Sequence, residues 1–133
     1  MQKQLWRNKW LICINELTSL GLQKNSWLNK SNTNPHLTFI EFMSSYFDDL
    51  DIEKDYNKVL TEGWVSKSEF ETIRIWHELL DKYDSPNNDD QDHKAILLDK
   101  EWQLIVEKGR KAKIELSKLL NTEENNILNK EID

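Results

Sequence analysis

The sequence predicts an all-α fold, a single-domain bundle of about five helices across residues 1–133. Three observations carry that expectation. Gly numbers three and Pro two, too few turn residues for the many connections of an all-β domain. Apolar residues recur at alternating steps of three and four, the 3.6-residue period of a helix face. Six Trp, three Tyr and four Phe supply the bulk to fill one core at this length.

The first helix is expected over about residues 3–20, where Trp6, Trp10, Cys13, Leu17 and Leu20 form one stripe and Gly21 is placed to close it. Residues 22–34 read as a polar loop, rich in Asn and Ser and pinned by Trp27. Asn34-Pro35 offers a cap followed by a first-turn proline, so a second helix should start there. Its Leu37, Phe39, Ile40, Phe42, Met43, Tyr46, Phe47 and Leu50 occupy more than one face, which predicts a central position. Asp48, Asp49 and Asp51 crowd its C-terminal end, where each negative charge costs about 0.3–1 kcal/mol.

A short third helix over about residues 53–62 turns Tyr56, Val59 and Leu60 inward and is ended by Gly63. Ser66-x-x-Glu69 reads as a capping box, with Ser68-x-x-Glu71 the competing register, and opens a fourth helix to about residue 83. Residues 84–92, Asp-Ser-Pro-Asn-Asn-Asp-Asp-Gln-Asp, form an acidic loop. Asp99 caps the last helix, whose stripe is Leu98, Trp102, Ile105, Gly109, Ala112, Leu116 and Leu119. A glycine in a helix interior costs roughly 1 kcal/mol relative to Ala, so Gly109 predicts the close approach of another helix, one bearing a Trp. The polar tail, about residues 121–133, is expected to fray.

The single cysteine, Cys13, cannot form an internal disulfide and reads as a small buried hydrophobe among Leu11, Ile12 and Ile14. No run approaches the ~18 apolar residues of a membrane span. Asn15 and Glu16 end the short apolar run that follows Lys3, Arg7 and Lys9, so it does not read as a signal peptide and the expected compartment is cytoplasmic. His77-Glu78-Leu79-Leu80-Asp81 has Asp where a zinc protease motif needs its second His. Asp89, Asp90, Asp92 and His93 lack the central Gly and the spacing of a calcium loop. There is no nucleophile elbow and no Gly-rich phosphate loop. No catalysis, metal or cofactor is therefore expected. The basic segment from Lys108 to Lys113 is flanked by Glu107 and Glu115 and reads as a solvated helix face, not a nucleic-acid surface.

Charge is segregated along the chain. Fifteen of the 24 acidic residues lie from Pro35 to His93, against five basic ones, a local net of −10; the first 34 residues carry +4 and the last 40 are neutral. Such a surface suits a basic partner, although acidic helices also keep small proteins soluble.

Two stretches, Gly63-Trp64-Val65-Ser66 through Trp76-His77 and Ile96 through Val106 (ILLDKEWQLIV), resemble the small helical immunity proteins paired with contact-dependent growth inhibition toxins. The similar region covers about residues 39–120; that family more often has Pro where Lys100 stands. The shared motifs are packing patterns, so no family site residue carries over. The resemblance implies a cytoplasmic protein that binds and neutralises one cognate toxin domain, often a nuclease with a basic cleft. Charge placement then nominates the contacts: Asp48, Asp49, Asp51, Glu53 and Asp55 in one cluster, Asp84, Asp89, Asp90 and Asp92 in another, with Tyr56 and Tyr83 as neighbouring anchors. The free protein is expected to be a monomer or weak dimer. The alternative is a non-catalytic adaptor or homodimer that uses the stripe of the last helix as its interface.

Overall fold

The computed structural model describes residues 1–29, 31, 34 and 36–131. Among them are eight α-helices, a short 3-10 turn at Pro86–Asn88 and no strand. The all-α expectation holds; the count of five helices was too low, because three of the eight are short elements within segments expected to be loop, longer helix or tail.

The first expected helix is two. Helix α1 spans Lys3–Leu17 and α2 spans Leu20–Trp27. Thr18 turns its hydroxyl back onto the Ile14 carbonyl at 2.7 Å, and Ser19 leaves helical geometry to accept the Leu22 N–H at 3.4 Å. Gln23 then donates to the Glu16 and Leu17 carbonyls at 3.1 and 3.2 Å, which satisfies two of the acceptors orphaned by the break. Gly21 therefore lies inside α2, not after a cap, and the expected loop over 22–34 is helical as far as Trp27. Helix α3 (Phe39–Phe47) is capped by Thr38, whose Oγ1 accepts the Glu41 N–H at 3.1 Å, not by Asn34; Pro35 lies outside the described residues.

Helix α4 is confined to Asn57–Thr61, and Gly63 follows it at φ +73°, a left-handed conformation that glycine adopts without steric cost. Helix α5 (Lys67–Lys82) opens on the Ser66–Glu69 capping box with both reciprocal bonds present. Asp92 caps a further helix, α6 (His93–Leu98), and Asp99 caps α7 (Lys100–Ser117). Leu98 and Leu119, placed on the α7 stripe by periodicity, are exposed because that helix begins after Leu98 and ends before Leu119. The tail is not frayed as far as residue 128: Asn121 caps α8 (Thr122–Leu128), and Leu128 is fully buried.

Helix α1 is the hub, packed against α2, α3, α7 and α8, and it buries Trp6, Trp10, Leu11, Ile14 and Leu17. Helix α3 buries only Phe39, Phe42 and Tyr46, so it is not the central helix; its second apolar face, with Ile40, Met43 and Phe47, is left partly open. The most extensive helix pair is α5 with α7. Gly109 sits in that contact: a Cβ there would lie 2.6 Å from Trp76 Nε1 and 2.5 Å from Thr18 Cγ2. Trp76 is a rigid buried ring and Thr18 is held by its hydroxyl, so neither can yield cheaply. Gly109→Ala gains about 1 kcal/mol of helix propensity but meets an overpacking penalty of about 1–3 kcal/mol. Urea unfolding should show the variant less stable than the parent; a rise in stability would mean that the two helices can part without cost. No helix among the described residues is long and apolar enough to cross a membrane.

Candidate protein-binding face

Chain direction, more than sequence adjacency, decides which acidic residues meet. Helix α3 ends at Phe47, and the segment after α5 returns past it. The two elements enclose an open cleft of about 460 Å³ lined by Ile40, Met43, Ser44, Phe47 and Asp48 on one side and Tyr83, Asp84, Ser85, Asn88 and Asp90 on the other, over Phe39. Asp48 from the first acidic cluster and Asp84 and Asp90 from the second thus share one site, although 36 and 42 positions of sequence separate them. No Lys or Arg among the described residues lines it. Ser44 Oγ donates to Asp48 Oδ2 at 3.2 Å and Ser85 Oγ to Asp90 Oδ1 at 2.6 Å, which hold both carboxylates in place while leaving acceptor capacity open.

The other nominated carboxylates go elsewhere. Asp49 and Asp51 line a separate hollow with Lys58 and Glu62, and Asp51 pairs with Lys58 Nζ at 3.0 Å. Glu53 accepts the Lys58 N–H at 2.9 Å and Asp55 the Asn57 N–H at 3.1 Å, local bonds that start α4. Asp89 accepts the Gln91 N–H, and Asp92 the Ala95 N–H. These four are exposed but already serve the backbone of their own turns.

Of the two tyrosines, Tyr56 is a correction, whereas Tyr83 lines the cleft with its ring while its hydroxyl is taken up within the fold. Tyr56 is 0 % exposed, hydroxyl included in the core, so it offers a partner nothing. Tyr83 is buried too; its hydroxyl donates to Asp99 Oδ2 at 2.8 Å and ties the end of α5 to the cap of α7. Burial, then that carboxylate, pushes its phenol well above the ordinary range. The residues missed in sequence are Ile40, Met43 and Phe47, which form the apolar floor. The signal was present: α3 carries more apolar residues than one buried face can use.

His77 and His93 are tied into the fold by hydrogen bonds. Trp10 Nε1–H donates to the Tyr56 oxygen at 3.1 Å, Tyr56 is in close contact with the Tyr46 hydroxyl, and Tyr46 meets His77 Nδ1 at 2.8 Å. His77 Nε2 faces the Lys54 and Glu53 carbonyls at 3.0 and 3.3 Å. Indole can only donate and carbonyls only accept, so every proton in the chain is assigned: Trp10 to Tyr56, Tyr56 to Tyr46, Tyr46 to Nδ1, and Nε2–H to the carbonyls. His77 is therefore held neutral, and burial depresses its pKa against the opposing pull of its backbone bonds, Asp81 and Glu78. His77 is fully buried. His93 bridges the Trp27 carbonyl and the Phe39 N–H at 3.2 and 3.4 Å, which joins α2 to α3. Cys13 is buried, and desolvation, followed by Glu16 and Asp49, pushes its thiol up to about 12. Among the described residues no group of three or more His, Cys, Asp or Glu is placed to hold a metal ion.

Comparison with family models, with curated proteins and with solved structures returns no match.

Proposed function

We propose that this protein is an immunity protein that binds and neutralises a basic cognate toxin domain, a nuclease, through its acidic face, and that it acts in the cytoplasm. The observation that carries the reading is the unneutralised cleft. Asp48, Asp84 and Asp90 converge from two distant segments on a partly apolar floor, and none of the described residues that line it carries a positive charge. Charge segregation of this kind raises association rates with a cationic partner and selects against anionic ones. A carboxylate-lined face also presents to a nuclease cleft the charge that the cleft expects from phosphate.

The adaptor reading loses the feature on which it rested. Trp102, Ile105, Gly109 and Leu116 of α7 are buried within one chain, against α5 and α1, and do not form an open dimer face.

Co-expression with the tagged product of the adjacent upstream reading frame tests the proposal. A one-to-one complex is expected, with nuclease activity unmasked once this chain is removed by denaturation. Replacing Asp48, Asp84 and Asp90 together by Asn should slow association by roughly tenfold at low salt, with less difference at high salt. Absence of a complex, with this chain a stable homodimer on its own, would overturn the immunity reading.

A further inference from the structure

We propose that the cleft between α3 and residues 84–90 seats a single arginine side chain of the docking partner. The inference rests on the reading that the partner is basic, and it names the group that is recognised. The floor and the rim make different demands, and one side chain meets both. The floor is apolar and partly exposed: Ile40 is 42 % exposed, Met43 and Phe47 are half-buried, and the largely buried rings of Phe39 and Tyr83 close it from beneath. The rim is anionic from both walls, with Asp48 on one and Asp84 and Asp90 on the other.

A third source of negative potential is the helix itself. Asp48 is the C-cap residue of α3, so the negative end of the helix dipole lies beside its carboxylate. An acidic C-cap works against the stability of α3, and a cation seated there would offset both the dipole and the charge. A metal ion would meet the carboxylates but not the apolar floor. A leucine would meet the floor and leave the carboxylates unpaired. Lysine concentrates its charge at one strongly hydrated point, whereas a guanidinium is planar, is more weakly hydrated, stacks on rings and offers five N–H donors. Three carboxylates on opposite walls suit the forked donor, and its methylene stem suits Ile40, Met43 and Phe47.

The test uses the full chain and needs no toxin. N-acetyl-argininamide, N-acetyl-lysinamide and N-acetyl-leucinamide are titrated separately into ¹⁵N-labelled protein, and amide shifts are followed. The arginine probe should give saturable shifts concentrated at Ser44, Phe47, Asp48, Asp84 and Asn88, larger than those from the lysine probe, and none of comparable size around Asp51 and Asp55. The variant Asp48→Asn, Asp84→Asn, Asp90→Asn keeps the acceptors for Ser44 and Ser85, so its spectrum should stay dispersed while the arginine shifts fall at least about tenfold. Equal responses to the three probes, shifts spread over every acidic segment, or no response at the cleft would each overturn the assignment. Failure to form a toxin complex would sink the immunity reading but leave arginine binding intact. A toxin complex that forms at the parental rate with this variant, with no arginine response, would sink the cleft alone.

Discussion

Replacing Arg7 by Met should destabilise the protein by about 3–5 kcal/mol, the cost of stranding buried carboxylates without their cation. All five N–H donors of the guanidinium are used. Nε and Nη2 reach Glu124 at 2.8 and 3.0 Å, Nη1 and Nη2 reach Glu69 at 3.0 and 2.7 Å, and Nη1 also donates to the Trp64 carbonyl at 2.7 Å. The cation also lies 5.4 Å from the Trp10 ring centre. Glu69 belongs to the capping box of α5 and Glu124 to α8, so one side chain of α1 clasps two distant helices. Burial alone would raise the Glu69 carboxyl, but bonds from Arg7 and Ser66 outweigh it; the Arg7 bonds hold Glu124 low as well. Acids with depressed pKa values contribute stability that is present above the unfolded value, about 4.3 for Glu, and lost as pH falls through the folded one. The parent should therefore lose stability below about pH 4, and the Met variant should lose less over the same interval. Replacing Arg7, Glu69 and Glu124 together by Met, Gln and Gln should cost less than Arg7→Met alone, since no charge is then stranded. Urea unfolding of Arg7→Met within about 1 kcal/mol of the parent would show that water reaches these carboxylates and that the clasp contributes little.

That clasp shows where sequence reading succeeds and where it stops. Local devices were legible: the Ser66–Glu69 box, the positive φ at Gly63, the cap at Asp99, and the close approach of Trp76 announced by Gly109. Each depends on residues within one turn, or on a cost that only a neighbour could explain. The sequence of α8 reads as tail because its polar residues, Thr-Glu-Glu-Asn-Asn, gain their fixed place from Arg7, 117 positions away from Glu124, and no periodicity reports such a pairing. The split between α1 and α2 was hidden because the apolar stripe continues through Thr18-Ser19 while the capping bonds interrupt the backbone. Of the site, the acidic bias was legible and the convergence was not. Asp49 and Asp48 are neighbours in sequence yet line different hollows, whereas Asp48 and Asp84 line the same one. Tyr56 and Tyr83 stand beside acidic residues in sequence, but their hydroxyls turn inward, where one meets Trp10 and Tyr46 and the other Asp99.

Tyr46→Phe should cost about 2–4 kcal/mol although it removes one oxygen, because it breaks a chain in which each proton has a single place to go. Tyr56 would lose its acceptor and His77 Nδ1 its donor, and both groups are buried away from water. The same chain makes the protein sensitive to mild acid. A proton added to Nδ1 would point at the Tyr46 hydrogen; Tyr46 would have to donate toward Tyr56, whose own hydroxyl, already accepting from Trp10, would have no acceptor left. Burial and this conflict both keep the folded histidine neutral, so its folded pKa lies below the unfolded value. For a base, that difference contributes stability that is full above the unfolded value, about 6.5, and falls as pH drops below it. Between about pH 7 and pH 5 the parent should lose stability that a His77→Gln variant, lacking the proton site, does not lose. The comparison isolates His77 from the Glu16–His36 pair, which both proteins retain. Parallel stability curves for the two over that interval would mean that His77 charges freely in the fold, and that the ordered chain from Trp10 to Lys54 is not what holds the 53–56 turn, on which Tyr56 sits at φ +58°, against α5.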